Sequence, residues 1–101
     1  MENKIREIEI IGEFEYIKDS EFDIFFDEFI KSVEKKGWYL GGGYTFNKEC
    51  IDFSICVVVP FNISLEDVKI IFINHIKKYK YYFYGEFRDY KEGIVSKYEQ
   101  L

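Results

Sequence analysis

The sequence predicts an α+β domain in two layers, a four-stranded antiparallel sheet with two helices on one face. Three observations carry this. Segments 5–17, 38–46, 50–59 and 80–90 are rich in β-branched and aromatic residues, and the clearest of them alternate side-chain character with period two. Two other segments, opening near Ser20 and Ser64, repeat apolar residues every three or four positions, the spacing of an amphipathic helix. The elements run β-α-β-β-α-β. Two right-handed crossovers around a central hairpin turn that order into a ferredoxin-like split βαβ sandwich with sheet order 4-1-3-2.

The first strand covers 5–17. Ile8, Ile10, Phe14 and Tyr16 point one way and Glu7, Glu9, Glu13 and Glu15 the other. Ser20 then caps a helix, with Asp23 three residues on as a short capping box. Phe22, Phe25, Phe26, Phe29, Ile30 and Val33 make its apolar stripe, and Gly37 ends it. Trp38 to Phe46 forms the second strand, and Asn47-Lys48-Glu49 a short turn. Cys50 to Val59 is the third strand: Ile51, Phe53, Ile55, Val57 and Val59 share one face, and Pro60 stops it. Ser64-Leu65-Glu66-Asp67 opens the second helix, whose buried stripe is Leu65, Val68, Ile71, Phe72, His75, Ile76 and Tyr79. The last strand spans Lys80 to Tyr90, with Tyr81, Phe83 and Phe87 facing the core. Residues 1–92 therefore form one domain. Residues 93–101 read as a polar tail, tethered at most through Tyr98 and Leu101.

The 101 residues allow a single core, and 48% hydrophobic with 21% aromatic content excludes intrinsic disorder. No apolar run approaches the roughly 20 residues of a membrane span. Met1-Glu2-Asn3-Lys4 has no signal-like apolar core. Cys50 and Cys56 on one strand stand roughly 20 Å apart, beyond disulfide reach. Two reduced thiols fit a cytoplasmic protein. No CxxC or His–Cys spacing points to a metal or other cofactor.

The formal net charge is −5, and residues 1–50 carry all of the excess, with twelve acidic and seven basic side chains. A surface of that sign repels phosphate backbones and attracts a basic protein. The sheet face left bare by the helices collects Glu7, Glu9, Glu13 and Glu15, then Cys50, Asp52, Ser54 and Cys56, then Tyr82, Tyr84, Glu86 and Arg88. Tyrosines give rigid contact area and carboxylates attract Lys and Arg. An RNA-binding sheet of this topology would surround its aromatics with Lys and Arg instead, so direct nucleic-acid binding is not expected there. The fourth strand, as a sheet edge with exposed tyrosines, invites pairing into a homodimer.

Catalytic readings are weak. His75, the one histidine, falls on a buried helix stripe. The carboxylate pairs Asp27-Glu28, Glu66-Asp67 and Glu86…Asp89 have only local spacing, whereas acid–base work needs two carboxylates in different environments. Gly41-Gly42-Gly43-Tyr44-Thr45 leads into a strand and lacks the Gly-Lys-Ser/Thr of a phosphate loop. Its glycines instead permit a bulge or a positive φ.

The run Asp27-Glu28-Phe29-Ile30, then Val33-Glu34, Gly37-Trp38 and Gly41-Gly42-Gly43-Tyr44, resembles the YggL-type family of bacterial proteins described as binding the 50S ribosomal subunit. Gly85-Glu86-Phe87-Arg88-Asp89-Tyr90 is similar to that family's closing strand, and the resemblance covers about residues 7–92. The basic arm that precedes the first strand in the family is reduced here to Lys4 and Arg6. The resemblance implies a non-enzymatic protein docked on the 50S subunit, and the acidic half of this chain makes a basic ribosomal protein the expected contact there. Together with the charge asymmetry and the acidic-aromatic face, it makes Glu13, Glu15, Asp27, Glu28, Gly41, Gly42, Gly43, Tyr84 and Asp89 the expected contacts. The alternative is an acidic inhibitor or immunity-type protein that neutralises a basic toxin or nuclease by steered association.

Overall fold

A computed structural model describes residues 4–99. In chain order the elements are β1 (Ile5–Glu15), α1 (Asp19–Lys35), β2 (Tyr39–Phe46), β3 (Cys50–Pro60), α2 (Leu65–Tyr79), β4 (Phe83–Asp89) and β5 (Ile94–Glu99). The strands form one antiparallel sheet in the order β2-β3-β1-β4-β5. The fold is thus α+β with two helices and five strands, not four. Residues 94–99 are no tail: they pair with β4 from Ile94 opposite Asp89 to Glu99 opposite Tyr84. Strand β4 is therefore internal, and its expected role as a pairing edge is overturned. Met1, Glu2, Asn3 and Leu101, on which the leader and tail readings bear, lie outside the described residues.

The two helix starts differ although both begin with serine. At α2 the Ser64 hydroxyl accepts from the Asp67 N–H at 3.1 Å and the Asp67 carboxylate accepts from the Ser64 N–H at 2.9 Å, a complete capping box. The Ser64 N–H, and then the Ser64 hydroxyl that also donates to it, hold the Asp67 carboxyl below the usual range. At α1 the expected cap fails. The helix begins at Asp19, Lys18 is the N-cap, and no side chain caps it. Asp23 has been recruited elsewhere, accepting the Tyr44 hydroxyl of β2.

Both helices end in the same hydrogen-bond pattern. Gly37 takes φ +80°, its N–H donates to the Glu34 carbonyl, and the Trp38 N–H reaches back to Val33. After α2 the left-handed position is Lys80 at φ +60°, with its N–H on Lys77 O and the Tyr81 N–H on Ile76 O. Lys80 thus closes the helix instead of opening the last strand, which starts at Phe83.

The core is an aromatic lattice between the helices and one sheet face. Phe14 stands at its centre, with Phe22, Phe25, Phe53, Phe72 and Phe83 at centroid distances of 4.7–6.3 Å. Ile8, Ile10, Ile51, Ile55, Val57, Val59 and Phe87 extend the buried sheet surface. Tyr16, expected among them, is 64% exposed because β1 ends at Glu15; Ile17 is buried in its place. Gly12 of β1 faces Gly85 of β4. A Cβ on Gly12 would lie 2.2 Å from the Tyr84 carbonyl and 2.9 Å from the Phe83 ring. Only a pair of glycines lets that ring lie across the strands here.

Candidate docking face

Strand alternation puts one side-chain set under the helices and the other on the bare side. On β1 the bare set is Glu7, Glu9, Ile11, Glu13 and Glu15; on β3 it is Cys50, Asp52, Ser54, Cys56 and Val58. Register with these adds Tyr39, Gly41, Gly43 and Thr45 from β2. It adds Tyr84, Glu86 and Arg88 from β4, and Val95, Lys97 and Glu99 from β5. A groove of about 1270 Å³ crosses this side, walled by Glu13, Asp52, Tyr84, Arg88, Lys97 and Gly43.

The groove is electrically lopsided. On the β4–β5 side Arg88 is engaged by Glu86 at 2.6 Å, and Lys97 lies opposite Glu86. On the β1–β3 side Glu13 faces Asp52 directly across the strands, an arrangement that costs stability because the charges are alike. Among the described residues no Lys or Arg forms an ion pair with Glu7, Glu9, Glu13, Glu15 or Asp52. Neutral donors ease the repulsion instead: Tyr84 donates its hydroxyl to Glu13, and the Asn47 amide donates to Asp52. The hydrogen bond to Glu13 pushes the Tyr84 pKa up to about 12. Burial first, and then the charges of Glu7 and Glu9, push the Cys56 thiol up as well, so it stays protonated.

The expected contact residues do not form one surface. Glu13, Glu15, Gly41, Gly43 and Tyr84 share the bare side. Gly42 belongs to the opposite face of β2; at φ +100°, with a Cβ position 2.4 Å from the Ser54 carbonyl, it is a glycine for backbone reasons. Asp27 and Glu28 lie on α1, in the other layer. Asp27 pairs with Lys31 at 3.1 Å, and Glu28 clasps α2 by accepting from Tyr79 and Lys78. Those hydrogen bonds, Tyr79 first, lower the Glu28 pKa.

Asp89 is withdrawn from docking altogether. It is 1% exposed, on the helix side of β4 with Phe83 and Phe87. Its carboxylate takes Arg6 Nη1 at 2.9 Å and the Glu92 N–H at 3.3 Å. Arg6 also reaches the Phe61 carbonyl and stacks 5.0 Å from the Phe61 ring. This pair bolts the start of β1 to the end of β4 and the β3–α2 loop.

Two other groups bear on chemistry. His75 is packed against Phe25 and Phe29, its Nε2–H donating to the Phe25 carbonyl at 2.8 Å; burial lowers its pKa. Glu13, Cys50 and Asp52 bring three potential metal-ligating atoms within 4.8 Å of one another, and they are the one such group among the described residues. Strand β5, which supplies Lys97 and Glu99 to the groove wall, is the part that sequence reading missed. Its signal was the alternation of Ile94, Ser96 and Tyr98 with Val95, Lys97 and Glu99.

No protein-family model matches the chain, and no curated protein or solved structure matches it. No helix among the described residues is long and apolar enough to cross a membrane.

Proposed function

We propose that this protein is a small non-enzymatic binding module, cytoplasmic, that docks the basic surface of another protein on its bare sheet face. One observation carries the reading: the β1 glutamates and Asp52 stand together on that face without a cation, with Glu13 set against Asp52. Such repulsion is relieved when a partner brings Lys or Arg, and the same field speeds encounter. Tyr84 adds rigid contact area to the groove wall. We read the first six elements as a ferredoxin-like plait extended by β5. With the YggL-like run of residues, this makes the 50S subunit, met through a basic ribosomal protein, the first partner to test.

Purified protein is co-sedimented with 50S particles at low and moderate salt, beside the Glu13→Lys/Glu15→Lys variant. The expected result is pelleting of the unaltered chain that weakens with salt and is lost in the variant. Pelleting that the charge reversal leaves intact would remove the bare face from the reading. Failure to pellet at either salt rejects the ribosomal partner. An inhibitor role then predicts instead a basic protein retained from lysate by the unaltered chain and not by the variant.

A further inference from the structure

Strand β2 ends the sheet, and among the described residues it pairs with β3 alone. The Asn47 N–H donates to the Cys50 carbonyl at 2.9 Å, which fixes the hairpin's alternation. Residues 39, 41, 43 and 45 turn their backbone groups toward β3, and Leu40, Gly42, Tyr44 and Phe46 turn theirs outward. Free edges are ordinarily protected by Lys, Glu or Pro, by bulges, or by being short. In a chain that is 33% charged, the eight residues Tyr39–Phe46 contain no charge and no proline. Beyond their chain neighbours, nothing lies within 4 Å of the Cβ positions of Gly41 and Gly43, so the bare side of the strand is open there. The opposite edge, β5, is six residues long and carries Lys97 and Glu99.

We infer that a second copy of this chain docks antiparallel on the β2 edge, joining two five-stranded sheets into one. Three features of the flank favour a copy over a foreign strand. First, α1 runs beside β2, tied to it by the Tyr44–Asp23 bond and the packing of Tyr44 on Phe26 at 5.0 Å. A two-fold axis beside the middle of β2, between the strand and its copy, therefore sets α1 antiparallel to its own copy. Second, a hollow of about 410 Å³ lies there, lined by Ile24, Phe26, Asp27, Ile30 and Tyr44, with Ile24 58% exposed beside it. Third, the Asp27–Lys31 pair lies along the same flank, and the two-fold reverses its polarity, so acid meets base. The uncharged strand gives two copies of net charge −5 a place to touch without repulsion.

The test is sedimentation velocity from micromolar to millimolar concentration, with amide hydrogen exchange on the same samples. A dimer is expected, with the amides of Leu40, Gly42, Tyr44 and Phe46 slowing as concentration rises. Gly43→Lys/Thr45→Lys places like charges across the axis from side chains that point away from the core. It should weaken the dimer at least tenfold while the circular dichroism spectrum is kept. Mixed with Gly43→Glu/Thr45→Glu, it should dimerise again as a heterodimer, a recovery that misfolding cannot produce. A chain monomeric at millimolar concentration overturns the inference. So does a dimer that ignores both variants, or β2 amides that slow only when another protein is added.

Discussion

The two faces of this sheet are written on the same strands, one residue out of phase, and they obey opposite rules. The covered face is almost wholly aromatic and aliphatic, with Phe14 touching five other rings. The bare face sets Glu13 against Asp52 and leaves the β1 glutamates without a cation among the described residues. The first minimises free energy by excluding water; the second holds charges that the isolated fold gains nothing from keeping together. Stability and recognition are thereby separated by a single step along the chain, and substitutions sort by parity.

The largest contrast should come from truncating the centre of the covered face. Phe14→Ala is expected to cost about 3–5 kcal/mol in urea unfolding. Its neighbour Glu13→Gln should change stability by less than about 1 kcal/mol, as surface changes do, while weakening partner capture. A Glu13→Gln loss as large as that of Phe14→Ala would abolish the distinction between the faces.

Asp89→Asn tests a residue whose sequence context resembled the docking set and whose parity puts it inside. Removing one charge of a buried pair costs about 3 kcal/mol, and the folded fraction should bind partner unchanged. Smaller still is the difference between the helix starts. Ser64→Ala should lower stability by about 1 kcal/mol and Ser20→Ala by almost nothing, read from the shift in denaturation midpoint.

The smallest effect is one of pH. Burial depresses the His75 pKa in the folded chain below its ordinary 6.5. The unfolded state then binds the proton more readily, so the contribution of neutral His75 is fully present above about pH 6.5 and is lost as pH falls below it. Stability curves at pH 7.5 and 5.5 should converge in His75→Gln relative to the unaltered chain.

What could be read from the residues was parity and period. The Glu/Ile alternation of β1 and the odd-numbered apolar residues of β3 assigned both faces, and the Phe stripe of α1 assigned its buried side. What stayed hidden depended on partners distant in the chain. Ser20 and Asp23 carry the local pattern of a cap, but Tyr44 competes for the carboxylate from another strand. Asp89 gave no sign of Arg6, 83 residues away. Strand β5 escaped because its outward side carries Lys97 and Glu99 and its inward side Ser96, bonded to Lys69 of α2 at 2.7 Å, so both resemble a solvated segment. Asp27 and Glu28 join the expected contacts through the family-like run and the acidic excess of residues 1–50, neither of which says anything about layer.

The groove has a thin floor. Gly12 and Gly85 lie beneath it, and on their far side lies the ring of Phe83, itself wedged against Phe14, Phe53 and Phe72. Between the compartment a visitor would enter and the oily interior there is one layer of main chain and one phenyl ring. A side chain at either glycine would drive into that ring, which lies 2.9 Å from both Cβ positions, so the partition admits no thickening from within.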